Sequence, residues 1–141
     1  MIIIQPVKVT TKVLSDVLKF EGEEILTYRI EYPFLISPAY HKSVKHINSI
    51  YETYALKYEK YVTTVLFKSA TEDYNYSKEH GYPIHKYDIA QTFTLTYNQN
   101  CAVSIYFDRY EYTGGAHGST IRLADTRSIE TSKQILLKEL F

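Results

Sequence analysis

The distribution of apolar and polar residues divides the chain into several alternating segments and one segment with a helical pattern. Residues 7–14 are rich in β-branched side chains, which is typical of a β-strand. Residues 24–32 alternate between two faces, which predicts an antiparallel strand with one face toward solvent. A turn at residues 21–23 separates these strands, and Pro33 and Pro38 are expected to end the second one. Its predicted buried face consists of Leu26, Tyr28, Ile30 and Tyr32.

The strongest periodicity in the chain predicts an amphipathic helix. Apolar residues recur there at spacings of three and four, so that they share one face of a helix. The predicted face consists of Val44, Ile47, Tyr51, Tyr54, Tyr58, Tyr61 and Val65. The helix is expected to begin near Tyr40 or His41 and to fade somewhere between Leu66 and Glu79, with a stop signal at residues 80–83. Residues 71–78 are compatible with a helix, a strand or a loop, because Tyr74 and Tyr76 alternate.

Three further strands follow the helical segment in close order. They are predicted at residues 87–97, 101–112 and 119–129, with a compact turn at residues 98–100 between the first two. In the middle strand, one face is predicted to point toward the core, and it consists of Cys101, Val103, Ile105 and Phe107. Residues 133–141 are expected to begin another element, with a helix as one option.

The order β-β-α-β-β-β predicts the fold class. Consecutive strands with tight turns form antiparallel meanders, and a helix with one apolar face packs across one face of a sheet. We therefore expect a single α+β domain over residues 1–141, in which an antiparallel sheet of about five strands packs on one long helix.

Composition excludes several classes of protein. The chain has 141 residues, 45% of them hydrophobic, and its 16 basic residues balance 16 acidic ones. This composition excludes a disordered chain, and the zero net charge argues against binding to nucleic acid. The single cysteine excludes an internal disulfide. No apolar run approaches the roughly 18 residues of a membrane-spanning helix, so no span is expected within this chain.

The residues that could carry chemistry form no recognisable catalytic or metal-binding motif. The five histidines lack the spacing of a helical zinc site, and the carboxylates form no obviously convergent pair. Cys101 is interpreted as a small buried hydrophobic residue, since no base or electropositive pocket can be assigned to it. No catalytic residue, metal or cofactor is therefore predicted.

The end of the middle strand is the most unusual part of the sequence. Tyr106, Tyr110 and Tyr112 share the face opposite the core residues, where they either form a recognition surface or stabilise neighbouring strands, the second being favoured. Three glycines follow within residues 114–118, and they indicate positive φ angles or a close backbone approach. His117 is either held by packing or presented to a ligand, and packing is favoured.

The string Tyr112-Thr-Gly-Gly-Ala-His-Gly118, followed by a strand and by Ile135-Leu-Leu-Lys-Glu-Leu-Phe141, resembles a known family. It is similar to the extracytoplasmic domain of unknown function shared by a peptidoglycan deacetylase (PdaC) and a lysozyme-sensing anti-sigma factor (RsiV). Residues 30–33 and 46–48 resemble the family's strand-end Tyr-Pro and its helical Ile-Asn. Family members usually continue past the Leu-Phe element, so the chain is expected to be either a fragment or a short member.

The resemblance implies a function that the composition does not supply. It implies a bacterial, non-catalytic binding or sensing module of the cell envelope, with a cell-wall glycan or a lysozyme-like protein as its partner. It also implies an extracytoplasmic location with anchoring through a segment absent from this chain. The alternatives are a hydrolase of cell-wall polymers that uses a carboxylate or His117, and a structural domain that pairs through a sheet edge. The expected ligand-binding residues are Tyr110, Tyr112, Gly114, Gly115, His117 and Gly118.

Overall fold

The computed structural model describes residues 6–136 and confirms an α+β domain with the predicted element order. Two strands precede the helical segment and three follow it. The elements are β1 (Lys8–Phe20), β2 (Glu23–Ile36), α1 (His41–Tyr61), a π-helical turn (Val62–Leu66), α2 (Phe67–His80), β3 (Tyr87–Gln99), β4 (Ala102–Tyr112) and β5 (Ser119–Ser128). The apolar residues 2–4 and most of the predicted element over residues 133–141 lie outside the described residues.

The five strands form one sheet in the order β1-β2-β3-β4-β5, and this sheet is mixed. Three junctions are antiparallel, but β2 and β3 run parallel where Leu26–Ile30 pairs with Tyr87–Gln91. The expectation of a purely antiparallel sheet is therefore wrong at this junction. The helical segment returns the chain to the end of the sheet from which β2 started, so β3 can join β2 only in the same direction.

Beyond the short parallel ladder, side chains replace the missing strand pairing. The amide of Asn48 on α1 bonds both backbone groups of Leu35, at 2.8 Å from the N–H and 2.9 Å from the carbonyl oxygen. Asn98 bonds both backbone groups of Val7 in the same way, at 3.1 and 2.7 Å. Each amide thus satisfies a donor and an acceptor that would otherwise be left without a partner as the strands diverge.

The buried face of the helix differs from the predicted one. Tyr54, Tyr61 and Val65 are 44%, 41% and 55% exposed, so their assignment to the buried face is wrong. The residues that are buried are Val44, Ile47, Tyr51, Ala55, Tyr58, Val62, Leu66, Ala70 and Tyr74. From Tyr51 onward most of these positions repeat every four residues, which drifts around an α-helix of about 3.6 residues per turn. The wider π-helical turn corrects this drift and keeps one face against the sheet.

Several predicted boundaries also need correction. β1 continues past Asp16 to Phe20, because it pairs with β2 along its whole length. β2 continues through Pro33 to Ile36, and Pro33 is tolerated because the pairing with β3 has already stopped at Ile30. Residues 71–78 are helical and belong to α2.

Cys101 lies in a turn and not on the core-facing side of a strand. Asn100 and Cys101 have φ angles of 53° and 56°, which is the geometry of a two-residue hairpin turn. The thiol is half-buried, and its Sγ lies 3.7 Å from the Tyr40 hydroxyl. Its assignment to the buried face of β4 is therefore wrong, whereas the burial of Val103, Ile105 and Phe107 is confirmed.

The core consists of two hydrophobic clusters between the helical segment and the sheet. The first packs the second half of α1, the π-helical turn and α2 against β2 and the start of β3, with Tyr58 and Tyr74 among its largest side chains. The second packs the first half of α1 against β4, with Tyr51 and Phe107 in an edge-to-face contact at 5.6 Å. Both clusters bury aromatic side chains whose hydroxyl groups are bonded to carboxylates.

Candidate functional site: a cleft at the glycine loop

The glycines after β4 have the backbone roles that the sequence predicts. We call residues 113–118 the glycine loop. Gly114 and Gly115 have φ angles of 93° and 88°, which side chains with a Cβ rarely adopt. Gly118 has no positive φ, but a Cβ there would overlap the ring of Tyr110. Gly114 and Gly115 therefore allow the backbone conformation of the turn, and Gly118 allows the backbone to approach the Tyr110 ring closely.

Tyr112 fixes the glycine loop to the segment that precedes β3. Its hydroxyl donates a hydrogen bond to the Gly115 carbonyl oxygen at 2.9 Å and lies 3.3 Å from Nδ1 of His85. His117, in contrast, is exposed, and it has no hydrogen bond or ion pair within the described part of the chain. The preference for a His117 held by packing is therefore wrong, and its side chain is accessible on the outside of the loop.

Two of the predicted binding residues, Gly114 and Gly115, line a cleft of about 210 Å³, which we call the loop cleft. Its opposite wall belongs to α2 and to the segment after it. This wall contains both polar and apolar side chains, among them Asp73, Ser77, Ile84 and His85. The other predicted binding residues, Tyr110, Tyr112, His117 and Gly118, are not among the residues that line this cleft.

Asp73 and Tyr87 form the polar floor of the loop cleft. The Tyr87 hydroxyl donates a hydrogen bond to the Asp73 carboxylate and lies 3.0 Å from Oγ of Ser69. Burial of Tyr87, together with its bond to Asp73, raises the pKa of the phenol to about 12. The hydroxyl therefore remains a hydrogen-bond donor at neutral pH, and the carboxylate stays oriented in the cleft.

Three aromatic rings stand at the mouth of the loop cleft, and we call them the aromatic cluster. The Tyr76 and His80 rings stack at 4.1 Å, and the Tyr82 ring stacks against His80 at 5.6 Å. Tyr76 also lines the cleft, and both tyrosines are more than half exposed, at 56% and 55%. Surface aromatic rings this exposed offer flat apolar area to a ligand.

Local sequence explains why the aromatic cluster forms. Tyr76 and His80 are four residues apart on α2, so that they lie on the same side of the helix. Gly81, with a φ of 69°, ends the helix in the left-handed conformation, and the chain turns back so that Tyr82 reaches the other two rings. The sequence reasoning missed this cluster because it left residues 71–78 without a structure. The spacing Tyr-x-x-x-His-Gly-Tyr is the signal that would have found it.

The groups that line the loop cleft are suited to binding, and its carboxylate Asp73 and its histidine His85 are hydrogen-bonded to Tyr87 and Tyr112 and not to each other. The hydrolase alternative requires His117 beside a carboxylate, and no carboxylate contacts His117 among residues 6–136. Within residues 6–136, no three histidine, cysteine or acidic side chains lie close enough together to hold a metal ion. What the arrangement can do is stack against a flat ligand and donate or accept hydrogen bonds beside it.

Comparison with known proteins identifies a family and a fold. The family model described as "Deacetylase PdaC" matches residues 21–120. None of the curated proteins gives a significant sequence match. Within the described residues, no helix has the length and apolar character needed to cross a membrane.

Two solved structures of DUF3298 family proteins resemble the domain. The protein from Bacteroides fragilis has a TM-score of 0.72 at 13% identity, and the match covers 94% of this chain and 60% of that one. The protein from Pseudomonas aeruginosa has a TM-score of 0.54 at 13% identity, and the match covers 96% of this chain and 57% of that one. The chain thus spans about three-fifths of the length of these structures, and at this identity the likeness concerns the fold alone.

Proposed function

The chain belongs to the Deacetylase PdaC family, and from this premise we propose that the domain is a non-catalytic module that binds cell-wall glycan outside the cytoplasm. The family name refers to a deacetylase, whereas the exposed, stacked aromatic rings beside the loop cleft support a binding role for this domain over the hydrolase alternative. Membrane anchoring and recognition of a lysozyme-like protein remain predictions from the family resemblance.

The aromatic cluster at the mouth of the loop cleft is the observation that supports a glycan ligand. Sugar rings present apolar C–H faces that pack against aromatic rings, while their hydroxyl and acetamido groups need hydrogen-bond partners. Tyr76 and Tyr82 supply exposed rings, and Tyr76 lines the loop cleft together with Asp73 and the glycine loop. One sugar unit could therefore stack on the rings while its neighbour enters the cleft.

The test is a titration of the folded domain with a chitin tetrasaccharide and with muropeptides, in parallel with lysozyme. We expect saturable binding of the sugars and a loss of about tenfold or more in affinity for Tyr82→Ala, since exposed aromatic anchors contribute on the order of 1.4 kcal/mol or more. Tyr97→Ala is the matched control, because Tyr97 is a partly exposed tyrosine that lines neither the cleft nor its mouth. Binding of lysozyme alone, or an equal loss in both variants, would overturn the proposal.

His117 gives a second test on the loop itself. Because its side chain is exposed and unbonded among the described residues, His117→Ala should leave the thermal midpoint unchanged. If the glycine loop contributes to the site, the same variant should bind the sugars more weakly than the wild type. A lowered midpoint with unchanged affinity would assign a structural role to His117 and remove it from the proposed site.

A further inference from the structure

A second cleft, which we call the helix cleft, lies between α1 and the last two strands of the sheet, β4 and β5. It consists of two adjoining cavities of about 490 and 260 Å³, and Tyr54, Arg109 and Leu123 line both of them. None of the residues that line it also lines the loop cleft. The helix cleft is therefore a separate site on the helix-covered face of the sheet.

Both walls of the helix cleft contain exposed apolar or aromatic side chains, beside charged residues that include Lys57, Glu111 and Asp125. On the α1 side, the rings of Tyr58 and Tyr61 stack at 6.3 Å, and Tyr54 lies beside them with 44% of its surface exposed. On the β5 side, Ile121 and Leu123 are 61% and 43% exposed. Large apolar side chains on both walls thus face solvent where a ligand could cover them.

Arg109 lies at the floor of the helix cleft and is held in a fixed position. Its Nε donates a hydrogen bond to Oε1 of Gln91 at 2.8 Å, and its guanidinium carbon lies 4.2 Å from the centre of the Tyr58 ring. Gln91 is itself fixed, because its Nε2 donates to the Glu31 carbonyl oxygen at 2.8 Å. The guanidinium is therefore preorganised before any ligand arrives.

The charge of Arg109 has no anionic partner within the described residues. No carboxylate lies within 4.0 Å of its nitrogens, and its two terminal nitrogens have no acceptor among residues 6–136. The nearby carboxylate of Glu111 accepts a hydrogen bond from the Tyr58 hydroxyl at 2.8 Å. Burial of the guanidinium lowers the pKa of Arg109, and the nearby charge of Glu111 offsets this effect only in part.

Arg122, in the same sheet, is an arginine that has both an aromatic contact and a carboxylate partner. It lies 4.0 Å from the centre of the Tyr106 ring, much as Arg109 lies over Tyr58. In addition, its Nε and one terminal nitrogen bond the Asp108 carboxylate at 2.8 and 3.0 Å. Arg109 has the aromatic contact without the carboxylate, although a planar guanidinium is well suited to bind a carboxylate through two hydrogen bonds.

We propose that Arg109 binds the carboxylate of a small ligand whose apolar or aromatic body lies between Tyr54 and Leu123. Lys57 lines the same cleft as a second positive charge, whereas the two carboxylates in the lining, Glu111 and Asp125, are hydrogen-bonded to the hydroxyls of Tyr58 and Tyr51. An acylated amino acid and a fatty acid both present this chemistry, and the two are separated by experiment. The proposal is independent of the glycan site, because the two clefts share no lining residue.

The experiment is a chemical-shift titration of the whole domain with four probes. N-acetylphenylalanine and octanoate carry the carboxylate, whereas N-acetylphenylalaninamide and octanamide have the same bodies without it. We expect saturable shifts at the helix cleft with at least one of the carboxylates at millimolar concentration, and at least a tenfold weaker response to the matching amide. The carboxylate that binds more tightly shows whether the cleft prefers an acylated amino acid or a fatty acid. Equal binding of acid and amide, or no saturable shift with either acid, would overturn the proposal.

Variants connect the binding to the cleft residues. Arg109→Gln should lower the affinity for the acid at least tenfold, whereas the matched control Arg122→Gln should leave it unchanged. Leu123→Asp covers the case in which Arg109→Gln unfolds, because Leu123 is partly exposed and its replacement does not empty the core. It removes an apolar contact that acid and amide share and adds a charge that repels only the acid, so both should bind more weakly and the acid should lose more. Unchanged binding of the acid to a folded Arg109→Gln or Leu123→Asp protein would refute the assignment.

Discussion

Two arginine–aspartate pairs on β4 and β5 have the same nitrogen–oxygen distance, but one pair is buried and the other is largely exposed. Arg127 and Asp125 meet at 2.8 Å with only 9% and 7% of their side-chain surface exposed. Arg122 and Asp108 also meet at 2.8 Å, but their exposed fractions are 60% and 26%. The comparison teaches that the distance between charges does not determine their contribution to stability, whereas burial and the bonds to neighbouring groups do.

The buried pair is part of a network that joins three segments of the chain. Asp125 accepts hydrogen bonds from the Tyr51 hydroxyl at 2.8 Å and from Nε2 of Gln134 at 3.1 Å. Arg127 also donates to the Ser132 carbonyl oxygen at 3.2 Å. The network therefore connects α1, β5 and the segment after β5, and its charges are compensated by hydrogen bonds as well as by each other.

The largest effect is expected from Asp125→Ala. The substitution leaves the buried guanidinium of Arg127 without its anion and removes the acceptor of Tyr51, so the free energy of unfolding should fall by about 3–5 kcal/mol. Urea denaturation followed by circular dichroism measures this loss. Asp108→Ala is the matched control and should change the free energy of unfolding far less. Equal losses in the two variants would show that burial does not distinguish the pairs.

A smaller loss is expected when only the hydroxyl of Tyr51 is removed. Burial and the Asp125 carboxylate raise the pKa of Tyr51 well above its ordinary value, so the hydroxyl is a permanent donor to Asp125. Tyr51→Phe should lower the free energy of unfolding by about 1.5–3 kcal/mol, the range for hydrogen bonds to charged groups. Tyr61→Phe is the control, since Tyr61 is exposed and its hydroxyl has no bond in the described part of the chain. A loss of similar size in both would contradict the assigned network.

The smallest effect is expected from Asp108→Asn, and it should depend on salt and pH. The Arg122 guanidinium holds the pKa of Asp108 below its ordinary value of 3.8. A lowered pKa stabilises the fold above the ordinary value, and this stabilisation disappears as the pH falls through the lowered one. The difference in unfolding midpoint between wild type and variant should therefore be largest near pH 7 at low salt and vanish in strong acid or molar salt. A difference that survives both conditions would indicate a role beyond the ion pair.

Alternation and periodicity predicted the fold class and the element order, because these two patterns depend only on residues that are close together in the sequence. The parallel junction between β2 and β3 was missed, since nothing within either strand states which neighbour it will have. Tyr58 was correctly assigned to the buried face of the helix, but Tyr54 was preferred over Ala55, a small residue that is fully buried. A π-helical turn produces no simple pattern in the spacing of apolar residues. The change of helical twist at Val62–Leu66 could therefore not be predicted.

The candidate site was predictable only where its residues are adjacent in sequence. The glycine loop is a continuous string, and its backbone roles followed from residue type. Asp73 and His85 come from α2 and the segment after it, and they meet the loop only because the parallel junction places the end of α2 near the end of β4. The pairing of Arg109 with Tyr58 is also a long-range contact, for which neither residue carries a local signal.

The parallel junction also has a consequence for the order of folding. The β1–β2 and β3–β4 hairpins close through turns of two residues, whereas β2 meets β3 only after the whole helical segment between them has been enclosed. Closing the longer loop costs more chain entropy, so we expect the hairpins to form early and the Leu26–Ile30 ladder to form after the transition state. Ile30→Val should then speed unfolding with little change in the folding rate, whereas Val103→Ala should slow folding, as stopped-flow kinetics would measure. The domain would thus assemble from the β1–β2 hairpin and the β3–β4–β5 meander, which come together late.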